Sequence, residues 1–138
     1  MRSIIFTLLV LIAIVNCDLV KTTSCFENPT LTVDAVDVNP VIAKPGDNVT
    51  SIIKGTANKE VTGGKLTVEV FLRTIRLFAF TYDLCKIGTC PVTGPYTATV
   101  VQNVPKIALS GVYSTKNTAV DAAGNILSCV QFDFQVKK

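Results

Sequence analysis

The chain of 138 residues contains no histidine and no tryptophan, and both absences narrow the classes of protein to consider. Histidine is the usual general base, the usual partner in a catalytic triad and the commonest metal ligand. Tryptophan is the large core aromatic of antibody-type domains. A glycine-rich phosphate loop is also missing, since Gly63-Gly64 has the form of a hairpin turn. We therefore predict that the protein is not an enzyme, and we expect no cofactor and no bound metal.

Charge is sparse as well. The 13 Lys and Arg residues against 10 Asp and Glu residues give a net charge of +3, and they are scattered along the chain. Only the terminal Lys137-Lys138 pair and the region of Arg73 and Arg76 are locally basic, and a solvated surface accounts for both. A balance this small demands no nucleic-acid partner, so we expect none.

The N-terminus has the layout of a secretory signal peptide. Arg2 precedes twelve almost wholly apolar residues, which are followed by polar Asn16. A membrane-spanning helix would need roughly 20 apolar residues, and a lipidated Cys17 would favour small residues before it. We predict that residues 1–17 are a signal peptide cleaved after Cys17 and that residues 18–138 form one domain. This domain is expected to be secreted or to lie in an endomembrane or lysosomal lumen.

The cysteines agree with an oxidising compartment. Cleavage after Cys17 leaves an even set of four, namely Cys25, Cys85, Cys90 and Cys129. Four cysteines allow three connectivities. Because only a short turn-like stretch separates Cys85 from Cys90, we predict that these two pair and that Cys25 pairs with Cys129. A zinc site would require two close pairs, and only one is present.

From Thr30 onward, short runs rich in β-branched residues alternate with turn residues, without a stretch of helical period. One of these turns precedes the sequon Asn48-Val49-Thr50, which predicts glycosylation of Asn48. The pattern predicts an all-β, immunoglobulin-like sandwich of about seven antiparallel strands in two sheets. The predicted strands are Leu31 to Val38, Val49 to Ala57, Lys65 to Leu72, Arg76 to Tyr82, Tyr96 to Gln102, Ile107 to Ser114 and Ile126 to Val136.

The stretch Asp83-Leu84-Cys85-Lys86-Ile87-Gly88-Thr89-Cys90-Pro91-Val92 resembles the ML lipid-recognition family, whose signature is Asp-x-Cys, a short loop and Cys-Pro followed by an apolar residue. Other features lie in matching places: Cys25 before the strand Leu31 to Pro40, the turn from Lys44 to Asn48, and the turn at 121–124 that leads into a Cys129-bearing strand. The resemblance covers essentially the whole mature chain.

Within that family the arrangement is most similar to phosphatidylglycerol/phosphatidylinositol transfer proteins, and it also resembles the Niemann-Pick type C sterol carrier. That carrier has a further cysteine pair after its first strand, whereas Val38 to Pro45 contains none. The resemblance implies two sheets that splay apart to hold a phospholipid or sterol, a first-to-last disulfide and a tight mid-chain one. We also expect a monomer that makes transient contact with membranes.

Carrying a lipid requires an unfilled apolar interior, which close-packed domains lack. Alternation along the strands selects the side chains that could line it, and Arg73, Arg76 or Lys106 could meet an anionic head group at its mouth. The alternative is a secreted recognition module that binds a protein through its outer sheet faces, for which we expect a closed interior and an exposed apolar patch. The candidate lining residues are Leu66, Val68, Val70, Leu77, Phe78, Phe80, Leu109, Val112, Tyr113, Phe132 and Phe134.

Overall fold

The structure is a computed structural model that describes residues 20–138, so the predicted signal peptide, its cleavage site and residues 18 and 19 lie outside the described residues. The described chain forms nine strands and one short helix. In chain order these are β1 (Thr23–Ser24), β2 (Leu31–Asn39), β3 (Ile42–Ala43), β4 (Asn48–Val61), β5 (Lys65–Leu72), β6 (Ile75–Asp83), α1 (Leu84–Ile87), β7 (Val92–Asn103), β8 (Gly111–Val120) and β9 (Ile126–Val136).

The strands form two sheets that face each other. The larger sheet has the order β1-β9-β8-β5-β6, with β3 also paired to β9, and the smaller has the order β2-β4-β7. All strand pairs are antiparallel except β3 with β9. The predicted all-β sandwich of two sheets is therefore confirmed. β6 and β7 are each the last strand of their own sheet, and this places two free sheet edges on the same side of the molecule.

Six of the seven predicted strands fall within observed ones, and two coincide with β5 and β9 over their full length. The prediction for Ile107 to Ser114 was wrong, because the strand there is β8, which runs from Gly111 to Val120. Residues 107–110 belong to a loop that begins with a turn, in which the Ala108 amide donates to the Pro105 carbonyl over 3.0 Å. The two-residue strands β1 and β3 and the helix α1 were not predicted.

The core is built as the alternation predicts. Leu66, Val68 and Val70 of β5 are each at most 5% exposed, and the even-numbered apolar residues of β9 from Val130 to Val136 are buried beside them. Across the interface, Val36 and Val38 of β2 are 0% exposed. β2, β5 and β9 thus each present an apolar face to the opposite sheet, as expected for strands with a period of two.

Both predicted disulfides are present. Cys25 is bonded to Cys129 with a Cα–Cα distance of 5.0 Å, and Cys85 to Cys90 with 5.1 Å. The first ties β1 to β9, and the Cys25 amide also donates to the Cys129 carbonyl over 3.0 Å. The second holds α1 against the start of β7. Within residues 20–138, the one helix is far too short to cross a membrane.

Candidate functional site

An apolar cleft, which we call the first cleft, opens between the free edges of β6 and β7. Its walls come from both sheets: the side chains of β5, β6, β8 and β9 face those of β4, β7 and the β7–β8 loop. It encloses about 380 Å³ when the part open to solvent is counted. The lining residues are Val49, Val70, Phe78, Phe80, Gln102, Asn103, Val104, Pro105, Ala108, Tyr113, Phe134 and Val136.

Aromatic rings form much of the larger sheet's wall in this cleft. Phe78 and Phe80 lie on β6 with ring centroids 6.1 Å apart, and each is 39% exposed at the mouth. Deeper in, Tyr113 and Phe134 stack with centroids 5.6 Å apart. Tyr113 is held by its hydroxyl, which donates to the Leu109 carbonyl over 2.7 Å. The cleft thus has a fixed aromatic interior and a partly exposed aromatic lip.

A second cleft lies at the other end of the sandwich, beside α1 and the Cys85–Cys90 disulfide. It consists of two adjoining hollows that share Leu31, Leu84, Tyr96 and Ala98. The Tyr96 hydroxyl donates to the Thr32 carbonyl over 3.0 Å. Burial, assisted by the negative charge of Asp34, raises the pKa of Tyr96 to about 12, so this phenol is neutral at ordinary pH.

The region between the clefts is filled. Val68 and Phe132, at 2% and 4% exposure, lie between the residues of β5 and β9 that line either cleft. Beside them, buried Thr115 donates to the Phe132 carbonyl over 3.1 Å and accepts from the Asn117 amide over 3.1 Å. These side chains form a partition, partly polar, that separates the two apolar clefts.

The clefts are narrow. The volume that the centre of a water molecule can occupy is about 30 Å³ in the first cleft. It is about 30 and 50 Å³ in the two hollows of the second cleft. One water needs roughly 10 to 15 Å³ on this measure, so each space holds a few waters. The unfilled interior expected from the sequence is therefore present only as narrow clefts. An acyl chain would fit only after the sheets move apart.

The candidate lining residues separate into three groups. Five of them (Val70, Phe78, Phe80, Tyr113 and Phe134) line the first cleft, and Leu66 lines the second. Val68 and Phe132 belong to the partition between the clefts. Three point elsewhere in this structure: Leu77, Leu109 and Val112.

These three are corrections to the predicted lining. Leu77 is 41% exposed because it alternates with Phe78 and so faces away from the opposite sheet. Val112 is 54% exposed because it pairs with exposed Gln135, on the outer face of the larger sheet. Leu109, at 61% exposure, lies in the loop rather than in a strand, and only its carbonyl approaches the cleft through Tyr113.

Sequence reasoning missed the wall contributed by the smaller sheet. In β7, Ala98, Val100 and Gln102 alternate toward the interior, and Val104 continues this row directly after the strand. Val49 of β4 lies opposite Gln102. The predicted strand from Tyr96 to Gln102 stops short of Val104, and a search for apolar walls does not select polar Gln102.

The predicted cations surround the end of the sandwich where the first cleft opens. Arg73 occupies the β5–β6 turn with φ 59°, and Lys106 lies exposed in the β7–β8 loop. Arg76 contacts Glu69 at 3.5 Å on the outer face of the larger sheet, where its side chain is 60% exposed, so this ion pair is weak. Within residues 20–138, Arg73 and Lys106 form no salt bridge.

Known proteins resemble this chain in both sequence and fold. The profile of the ML domain family matches residues 19–136, and the chain belongs to this family. A Dictyostelium discoideum protein provisionally named a phosphatidylglycerol/phosphatidylinositol transfer protein is 30% identical over 132 residues, covering 92% of this chain and 91% of that protein. The phosphatidylglycerol/phosphatidylinositol transfer protein of Mycosarcoma maydis is 30% identical over 112 residues, covering 75% and 58%.

Solved structures share the fold at low sequence identity. A Niemann-Pick type C2 protein from the Japanese carpenter ant superposes with a TM-score of 0.68 at 14% identity, covering 85% of this chain and 99% of that one. Chicken MD-1, solved in complex with lipid IVa, superposes with a TM-score of 0.57 at 11% identity, covering 86% and 90%. These likenesses confirm the sandwich architecture.

Proposed function

We propose that this ML domain protein binds a phospholipid, of the phosphatidylglycerol or phosphatidylinositol kind, or a sterol, and transfers it between membranes without catalysing a reaction. The observation that carries the proposal is the first cleft, an apolar space with aromatic walls that opens between two free sheet edges. The names of the curated relatives support the same ligand class.

The position of the cleft explains how a narrow space could admit a lipid. No ladder hydrogen bonds join β6 to β7, because each is the last strand of its sheet. Separating them therefore breaks no ladder, and the methylenes of an entering chain, each worth about 0.8 kcal/mol when removed from water, replace the apolar contacts that are lost. Since bilayer and cleft are both apolar, moving a lipid tail from one to the other changes the free energy little overall. The protein therefore acts by lowering the barrier that a free lipid meets when it crosses water.

A direct test is the transfer of fluorescent phosphatidylglycerol between donor and acceptor vesicles, with mass spectrometry of an organic extract of the purified protein. Ala108→Trp places a bulky ring in the cleft from a loop position and should abolish transfer while leaving the circular dichroism spectrum unchanged. The matched control is Ala123→Trp in an exposed turn at the other end of the sandwich. Equal transfer by both variants, or an extract without lipid, would contradict the proposal.

Membrane contact is expected at the mouth of the first cleft. There Ile75 is 65%, Leu109 61% and Ile107 89% exposed, next to the cations Arg73 and Lys106. The β5–β6 turn and the β7–β8 loop share this end of the molecule, since Leu72 pairs with both Ile75 and Tyr113. Exposed aliphatic side chains among cations suit the interface of an anionic bilayer.

Cosedimentation with phosphatidylglycerol vesicles tests this contact. The double variant Ile107→Ser with Leu109→Ser should lose most of its vesicle binding, and salt should weaken the binding that is left. Ile126→Ser is the control, because Ile126 is 42% exposed at the opposite end of the larger sheet. Binding that is unchanged in the double variant would exclude this surface.

Secretion and glycosylation complete the proposal. Asn48 is exposed at the start of β4, and its side-chain oxygen accepts from the Asn103 amide over 3.0 Å. When the full chain is expressed in a eukaryotic secretory host, the protein should appear in the culture medium, and N-terminal sequencing should show that it begins at residue 18. Its mass should fall on enzymatic removal of N-glycans, and an Asn48→Gln variant should have no such shift.

A second candidate is supported by the narrowness of the clefts together with the exposed aliphatic side chains. These are the features expected of a recognition module that binds a protein partner through its surface. The lipid extract separates the two functions: stoichiometric lipid supports the carrier, whereas a lipid-free extract from natively expressed protein supports the module.

A further inference from the structure

The side chain of Gln102 carries a buried donor without a partner. Its Nε2 atom is inaccessible to solvent and makes no hydrogen bond with residues 20–138. Alternation in β7 turns Gln102 inward, between Val100 and Val104, which are 3% and 5% exposed, and opposite Val49. A buried amide in this state is unfavourable, because it has lost water and gained no protein partner.

The neighbouring amide shows that the local backbone can satisfy such a group. Asn103 also borders the first cleft, but its exposed side chain is bonded to the β3–β4 turn, where Nδ2 donates to the Gly46 carbonyl over 3.1 Å and to the Asn48 side chain over 3.0 Å. Gln102 instead points into the first cleft, whose nearby walls are the hydrocarbon side chains of Val104, Pro105 and Val136. These three side chains offer no acceptor, and neither Asn103 nor Tyr113, the other polar residues of the lining, accepts a hydrogen bond from Nε2. The lining thus leaves the partner to the occupant of the cleft.

The position of Gln102 defines the kind of acceptor. It lies at the end of β7, between the aromatic interior of the cleft and the exposed loop that carries Lys106. A lipid whose tails lie against Tyr113 and Phe134, with its head group outside, places the ester linkages between tail and head group at this depth. An ester carbonyl is a good acceptor for an amide N–H, whereas an alkyl chain accepts nothing.

We propose that Gln102 determines specificity by donating a hydrogen bond from Nε2 to an ester carbonyl oxygen of a glycerolipid in the first cleft. This inference rests on the proposed function and deepens it, because it selects diacyl glycerolipids over lipids of equal size that lack the carbonyl. The proposed hydrogen bond satisfies a donor for which residues 20–138 provide no partner.

The test compares two probes with equal chain lengths, diacyl phosphatidylglycerol and its dialkyl ether analogue, by titration of the delipidated protein. Wild type should bind the ester about 5- to 100-fold more tightly than the ether, the range expected for one buried hydrogen bond. Gln102→Leu should bind both with the affinity that wild type has for the ether. The control Gln131→Leu, at an exposed position on the outer face of β9, should behave as wild type.

The outcomes separate the two levels of the argument. If wild type binds neither probe, the proposed binding of phosphatidylglycerol fails, and this inference fails with it. If wild type binds both probes equally, or Gln102→Leu keeps the preference for the ester, the inference alone is overturned. A further readout is thermal unfolding of the lipid-free proteins, in which Gln102→Leu should be at least as stable as wild type. A clear loss of stability would mean that the amide already has a partner, and this too would overturn the inference.

Discussion

Removal of the two disulfides should cost very different amounts of stability, because they close loops of different length. Cys25 and Cys129 are 104 residues apart in sequence, whereas Cys85 and Cys90 are 5 apart. In the chain-entropy description, closing a loop of about 100 residues destabilises the unfolded chain by about 5 kcal/mol at 25 °C, and closing a loop of about six residues by about 2 kcal/mol. The Cys25→Ala, Cys129→Ala variant should therefore lose about 5 kcal/mol, and the Cys85→Ala, Cys90→Ala variant about 2 kcal/mol.

Urea unfolding at 25 °C, followed by circular dichroism because the chain has no tryptophan, measures both values. Domains of this size have total stabilities of roughly 5 to 15 kcal/mol, so loss of the long-range disulfide should leave a marginal fold. The short-range variant is the matched control, since it also removes two sulfur atoms and one cross-link. Equal losses in the two variants would refute the reasoning, because loop length would then have no influence.

Three further predictions concern the second cleft, a close backbone contact and ligand linkage. The phenol of Tyr96, with its pKa raised to about 12, keeps its proton in the folded state while the unfolded chain loses it near pH 10. Stability should therefore fall as pH rises from about 10 to about 12. Tyr96→Phe should remove that part of the pH dependence and the absorbance step near pH 12 in a 295 nm titration. Gly55→Ala should destabilise the domain by about 2 kcal/mol or more in urea unfolding, because a Cβ there overlaps the Thr32 carbonyl oxygen, and a thermal shift under 1 °C would contradict this. Saturation with phosphatidylglycerol at about 100 times its Kd should add about 2.7 kcal/mol, measured as an increase in Tm that Ala108→Trp lacks.

Strand patterns predicted most of the fold because the inward faces of β5 and β9 are apolar at every second residue. The segment that failed, β8, has Thr115 and Asn117 at inward positions, so the apolar alternation stops where the strand continues. Its true extent is determined by pairing with β5 and β9, which a local pattern does not contain. The two disulfides were predictable from sequence spacing. The short loop between Cys85 and Cys90 indicates that these two pair, and this leaves Cys25 and Cys129 to form the second bond.

The candidate site was predicted less completely than the fold. Residues with a regular period, such as Val70 and Phe134, lie in the interior as predicted. Val112 and Tyr113 were both predicted to line the cleft, but consecutive residues of a strand face opposite sides, and only Tyr113 faces inward. The depth of the cleft depends on how far two twisted sheets stand apart, a distance that no strand pattern encodes. Gln102 was passed over because a polar residue carries no weight in a search for apolar walls, although its lack of a partner becomes evident once the fold surrounds it.

The last strand, β9, is sheltered along the side that faces away from β8. β1 pairs with it in antiparallel fashion through Thr23 and Ser24, and β3 pairs with it in parallel through Ile42 and Ala43. A bare strand rich in valine and phenylalanine would otherwise offer its backbone to a second molecule, the usual start of edge-to-edge aggregation. The Cys25–Cys129 disulfide holds β1 against β9. Reduction of this bond would allow β1 to detach and expose part of the β9 edge, so self-association through β9 should accompany the loss of the disulfide.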